Sequence, residues 1–197
     1  MTKTVDLVDI GGGNIGSVKR CLERLNIEYR NVNIDSPPKG DNPLLLPGVG
    51  AFGPVMKHLR QSRFEPRLKA LINGGTPYLG ICIGMQILFE RSEEADDCPG
   101  LEIIPGDVVA FKSGKVPQIG WNLIEPNSNG AERGYVYFVN SYYPKPSDDQ
   151  VTSYYANYYV PFCAAVKTKN ITAFQFHPEK SGDFGQQLLR RWLDEVG

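Results

Sequence analysis

Histidine is scarce: the 197 residues contain only His58 and His177. Any chemistry that needs an imidazole must draw on one of them. Four cysteines are present, Cys21, Cys82, Cys98 and Cys163, and none forms a C-x-x-C pair. That spacing argues against a zinc site and suits thiols kept reduced in a cytoplasmic protein. There is no excess of charge. Lys plus Arg number 21 against 22 Asp plus Glu, a net charge of −1. A basic footprint for nucleic acid or an anionic membrane is missing. Apolar runs fall far short of the roughly 18 residues that a membrane span needs. The opening residues read as the start of a strand, without the basic and long apolar regions of a secretory signal.

What is present is ordinary for a globular chain, 41% hydrophobic and 22% charged residues. A chain of this length can bury about 70% of its unfolded surface, so no disulfide or metal staple is needed. One domain over residues 1–197 is expected.

The pattern alternates in the first half. Residues 5–10 (VDLVDI), 28–34, 44–46 and 77–82 (PYLGIC) read as short strands. Helical spacing is seen over residues 14–26, 54–61, 64–73 and 85–91. This βαβ order predicts an α/β fold, an open and mostly parallel twisted sheet with helices on both faces. After Gly100 the strands come close together, at residues 103–112, 120–124, 134–142, 150–156 and 162–167, which predicts an antiparallel excursion. One more strand, 171–176, and a helix from about residue 181 close the chain.

The sharpest local signal is Gly80-Ile81-Cys82-Ile83-Gly84, after an apolar strand and before helix-prone residues. It is the cysteine form of a nucleophile elbow, a turn so crowded that glycines must flank the nucleophile. The turn would lift the sulfur to the sheet edge and bring the Ile83 N–H near a developing oxyanion. A helix start there favours a thiolate. The plain alternative is a buried structural cysteine. His177 follows the last strand in Phe176-His177-Pro178-Glu179. On extended backbone His177 and Glu179 share one side, so the carboxylate could orient the ring. His58 lies between Lys57 and Arg60 in a helical stretch and reads as a solvated residue. That leaves His177 as the base for Cys82. Leu46-Pro47-Gly48-Val49-Gly50 ends a parallel strand and could supply a second oxyanion donor, or be a common Pro-Gly turn. Residues 11–16 (GGGNIG) match a dinucleotide fingerprint formally, but a helix cap at Asn14 explains them as well, and no cofactor is expected. The tyrosines between Tyr135 and Tyr159 fit strand and core packing better than base stacking.

Together, LPGVG, GICIGMQ and FQFHPEKSG resemble the class I (triad) glutamine amidotransferases. The segments GGGNIGSVK, IGWN and YFVNSYY narrow the likeness to the glutaminase subunits of imidazole glycerol phosphate synthase, over nearly the whole chain. The resemblance implies a Cys82–His177–Glu179 triad that hydrolyses glutamine through a glutamyl thioester. Backbone N–H groups of Ile83 and, after a shift of the PGVG strand, Val49 would hold the oxyanion. Gly50, Gln86, Glu94, Ser141 and Tyr142 would bind glutamine. Asn14, Gln118, Trp121, Asn122, Tyr137 and Lys180, with the loop around residues 118–122, would face a (βα)₈-barrel cyclase partner in a heterodimer. The released ammonia would there serve formation of imidazole glycerol phosphate and aminoimidazole carboxamide ribotide in histidine biosynthesis. Two positions depart from the family pattern, which usually has histidine where this chain has Gln118 and Asn140. They leave a second acceptor open, a paralogous sugar amidotransferase of surface polysaccharides.

Overall fold

The computed structural model describes residues 4–11, 15–128 and 130–196. The chain begins β1 (Thr4–Val8), α1 (Ile15–Arg24), β2 (Glu28–Val32), β3 (Leu44–Gly48), α2 (Phe52–Gln61), α3 (Phe64–Asn73), β4 (Tyr78–Cys82) and α4 (Ile83–Gln86). It continues β5 (Arg91–Ser92), β6 (Gly106–Ala110), β7 (Gln118–Pro126), β8 (Gly134–Asn140), β9 (Tyr142–Pro146), β10 (Thr152–Tyr158), β11 (Val160–Thr168) and β12 (Ile171–Phe174). A 3₁₀ turn (Pro178–Lys180) leads into α5 (Gly182–Glu195).

Nine strands form one sheet in the order β2-β1-β3-β4-β12-β11-β10-β7-β8. From β2 to β12 every ladder is parallel. From β12 outward to β8 every ladder is antiparallel. β5, β6 and β9 make a small second sheet. Leu44 and Leu46 pack with Phe52, Met56 and Leu68 of α2 and α3. Leu45, between them, packs with Leu22 of α1 and Leu188 and Trp192 of α5. Successive side chains of a strand point to opposite faces, so an unbroken Leu-Leu-Leu run serves two apolar layers. Buried Asp6 of β1 is held by the Arg30 guanidinium in a two-pronged contact of 2.8 and 2.7 Å. Among the described residues no helix is long and apolar enough to cross a membrane.

Three expectations need correction. The helix expected over residues 85–91 is a single turn, α4, ending at Gln86. The carbonyls of Ile87, Leu88 and Phe89 accept from Leu101, Ile103 and Glu102 instead of from a next helical turn. Residues 85–89 are buried on all sides, so the apolar run was a core crossing and not one face of a helix. Residues 118–122 are not a loop but the start of β7. β9 is a strand that its two prolines had hidden, since Pro is confined to edge strands and β9 is the edge of the small sheet.

Candidate active site

Cys82 is the last residue of β4, with φ 56° and ψ −109°. A non-glycine residue held there is strained, and the surroundings must impose it. The flanking glycines show how. A Cβ on Gly80 would lie 2.4 Å from the carbonyl oxygen of Gly84. A Cβ on Gly84 would lie 2.1 Å from that of Leu46. The two-residue spacing on either side of Cys82 is thus a packing requirement of the turn. The buried Tyr78 hydroxyl donates to the Gly84 carbonyl at 2.7 Å and braces the turn from within the sheet.

Three parallel strand ends bring the motifs together. Gly48 of β3 is opposite Cys82, and Phe174 of β12 is opposite Ile81 on the other side of β4. The chain beyond β12 therefore passes the sulfur as Gln175, Phe176 and His177. His177 Nδ1 faces Glu179 Oε1 at 2.9 Å, and both side chains are 4% exposed. The carboxylate accepts from Nδ1–H and leaves Nε2 for the hydrogen bond with Cys82. The expected extended backbone stops at His177; the 3₁₀ turn after it folds Glu179 back onto the ring. Burial disfavours the imidazolium, but the hydrogen bonds to Cys82 and Glu179 outweigh it and push His177 up to about 9. Such a ring keeps a proton taken from the thiol. The His177 backbone is fixed to β8, its N–H donating to the Tyr137 carbonyl at 2.9 Å. Ser181 closes the loop, donating to the His177 carbonyl at 2.6 Å and accepting from the Tyr137 N–H at 2.9 Å.

The remaining predicted residues separate into groups. Val49, 38% exposed, and Gly50, with φ 140°, follow directly on β3 beside the elbow. Glu94 reaches this loop, its Oε2 accepting from the Phe52 N–H at 2.8 Å. Buried Gln86 donates to the Tyr142 carbonyl at 3.3 Å. Ser141 precedes it, its carbonyl accepting from the Phe111 N–H at 3.1 Å. Ile83 opens α4, so its N–H stands at the start of a single helical turn. Residues 9–11 and 47–49 line a small cavity with His177 and Glu179, which puts Gly11 beside the triad.

On the outer face of β7 and β8, Trp121 is 57% exposed and meets Tyr137 edge-on, ring centroids 6.1 Å apart. Ile119, Tyr135 and Val139 are also exposed, and so is Lys180. Asn122 donates to the Asn157 carbonyl at 2.8 Å. Asn14 lies outside the described residues. Gln118 does not face outward with this group. It is buried directly opposite Asn140, and Gln118 Oε1 and Asn140 Oδ1 both lack a partner. β7 presents alternate residues outward, so Gln118 and Trp121 cannot share a surface while Gly120 carries a left-handed φ of 138° between them. His58 is half-buried on α2 instead of solvated. Gln175 was missed: its amide donates to Cys82 Sγ at 3.7 Å. The alternation Phe174, Gln175, Phe176, His177 was the signal, since it puts Gln175 on the same side as the base.

Comparison with known proteins decides the family. The model of "Glutamine amidotransferase class-I" matches residues 6–196. The chain belongs to the class-I glutamine amidotransferases. It is 40% identical over 196 residues to "Imidazole glycerol phosphate synthase subunit HisH" of Rhodopirellula baltica, covering 95% of this chain and 96% of that one. It is 39% identical over 205 residues to "Imidazole glycerol phosphate synthase subunit HisH 1" of Methanococcus maripaludis, covering 98% and 100%. Among solved structures, one described as "Crystal structure of glutamine amidotransferase" superposes with TM-score 0.80 at 21% identity, covering 98% of each chain. "Structure of PurLQS from Thermotoga maritima" does so with TM-score 0.75 at 19% identity, covering 100% of each. At these identities the structures speak for the amidotransferase fold alone.

Proposed function

We propose that this amidotransferase is a single glutaminase domain that hydrolyses glutamine and hands ammonia to the cyclase subunit of an imidazole glycerol phosphate synthase. The observation that carries the chemistry is Cys82 on a strained elbow beside a buried His177–Glu179 pair. The 40% identity with a HisH subunit carries the acceptor. Ile119, Trp121, Tyr135 and Val139 supply the exposed apolar face that would meet a partner, with Asn122, Tyr137 and Lys180 within reach of it. A cytoplasmic location fits this biosynthetic role.

The steps follow from the geometry. Cys82 Sγ gives its proton to His177 Nε2 and attacks the side-chain carbonyl carbon of glutamine. The carbonyl oxygen becomes an oxyanion, held by the N–H groups of Ile83 and, after a shift of the PGVG strand, Val49. His177 then returns the proton to the amide nitrogen, the C–N bond breaks and ammonia leaves. Water, deprotonated by His177, attacks the thioester carbon and releases glutamate, and the proton returns to sulfur. Glu179 stabilises imidazolium throughout. Gly50, Gln86, Glu94, Ser141 and Tyr142 would bind the amino-acid end of glutamine, as the family resemblance implies.

The test is glutamate release by the purified chain, alone and with a histidine-pathway cyclase barrel carrying its ribonucleotide ligand. Strong stimulation by the barrel is expected. Turnover that the barrel leaves unchanged would overturn this acceptor and favour a paralogous sugar amidotransferase, to which the buried Gln118–Asn140 pair would then be adapted.

A further inference from the structure

Three side-chain amides run in line from the second sheet to the nucleophile. Asn140 Nδ2 donates to the Tyr142 carbonyl at 3.0 Å. Gln86 Nε2 donates to the same carbonyl at 3.3 Å and to Gln175 Oε1 at 2.9 Å. Gln175 Nε2 donates to Cys82 Sγ at 3.7 Å. The direction of this line is fixed by one atom. A backbone carbonyl only accepts, so Gln86 must turn its NH₂ group towards Tyr142. That NH₂ can then meet only an oxygen on Gln175. Gln175 must therefore aim its own NH₂ at the sulfur, and an amide flip at either glutamine would break a bond.

We propose that Gln175 belongs to the reaction site, its side-chain N–H holding the Cys82 sulfur in its anionic, attacking form. Its residue is fully buried, and its backbone N–H donates to the Ala164 carbonyl at 2.9 Å, so the amide cannot swing away. A hydrogen bond to a charged acceptor is about twice as strong as a neutral one, so this N–H holds the attacking sulfur anion most firmly. Gln175 transfers no proton; the thiol proton goes to His177, and once the thioester forms the sulfur is neutral and the bond weakens. The gain in thiolate exceeds the accompanying loss of intrinsic nucleophilicity, because rate falls only with the roughly 0.4–0.5 power of basicity. Gln86 acts here through Gln175, as a positioning residue.

This inference rests on Cys82 being the nucleophile, but its test needs no glutamine. Gln175→Met and Gln175→Glu, both of native length, would be compared with the parent. The readout is the iodoacetamide labelling rate of the Cys82 peptide, followed by mass spectrometry from pH 5 to 10. Both variants are expected to label about tenfold more slowly near neutral pH and to reach or pass the parental rate at the alkaline end, where the thiolate freed of the N–H is the better nucleophile. Gln175→Glu keeps the acceptor for Gln86 and adds a negative charge beside the sulfur, so it should be the slower. The Met variant keeps the fold testable if the Glu variant, a buried carboxylate with no cation beside it, melts early. The kcat for glutamine should fall by a similar factor with KM little changed. A labelling profile that overlaps the parent's in either folded variant would overturn the assignment and leave Gln175 a core staple. Glutamate release that survives Cys82→Ala would instead overturn the proposed function, whatever the labelling profile shows.

Discussion

The parallel and antiparallel halves of the large sheet use their strands in opposite ways. β3, β4 and β12 are covered on both faces, and what they expose is their carboxyl ends, where Gly48, Cys82 and the segment after Phe174 converge. β7 and β8 expose a face, with Ile119, Trp121, Tyr135 and Val139 on the open side. An edge that joins three strand ends can hold reacting groups within hydrogen-bond distance, because each is braced by a packed strand. An exposed face cannot do this, but it can offer area to another chain. Beyond the β12–β11 ladder that joins the halves, His177 and Ser181 are bonded to Tyr137 of β8. A partner seated on β8 would therefore bear on the base.

Four changes separate the two halves, in falling order of effect. His177→Ala should lower kcat for glutamine hydrolysis by about 10⁴-fold while the fold persists, measured by coupled glutamate assay. Gly84→Ala forces a Cβ against the Leu46 carbonyl, where backbone faces backbone. It should cost about 3 kcal/mol in urea unfolding, or prevent folding outright. Glu179→Gln should lower kcat by less than His177→Ala does and change the pH profile. His177 is raised to about 9, so its proton is available to the leaving ammonia up to that pH and lost above it. The basic limb of kcat is expected near 9 in the parent. It should move down towards the ordinary histidine value of about 6.5 in the variant. The same sign governs stability: this contribution is complete below about 6.5 and vanishes as pH rises through the raised value. Ile119→Ser, on the open face, should change unfolding free energy by under about 0.5 kcal/mol yet weaken cyclase binding about tenfold, by titration calorimetry. Equal stability losses at Gly84 and Ile119 would erase the contrast.

The same contrast explains what could be read from the residues. LLLPGVG, PYLGIC and FQFHPE were legible because a strand buried on both faces is a short apolar run, and a crowded turn needs glycine or proline at set places. The bounds of α3, residues 64–73, agree with the helical spacing for a similar reason, an apolar stripe of Phe64, Leu68 and Ile72 on a polar background. Burial of residues 85–89 on all sides defeated the reading at residues 85–91, where periodicity carries no direction. Gln175 escaped, and Gln118 was set on the partner face although it is buried, because an amide announces no chemistry by type. Its role depends on which way it points, and that is set by partners distant in sequence, Gln86 for one and Asn140 for the other.

The account stands on Cys82 forming a covalent bond to the γ-carbonyl of glutamine. Acid-quenched protein taken during turnover should carry a glutamyl adduct on the Cys82 peptide in tandem mass spectrometry, abolished by Cys82→Ala together with glutamate release. Glutamate released at the parental rate by that variant, with no adduct on the parent, would contradict it.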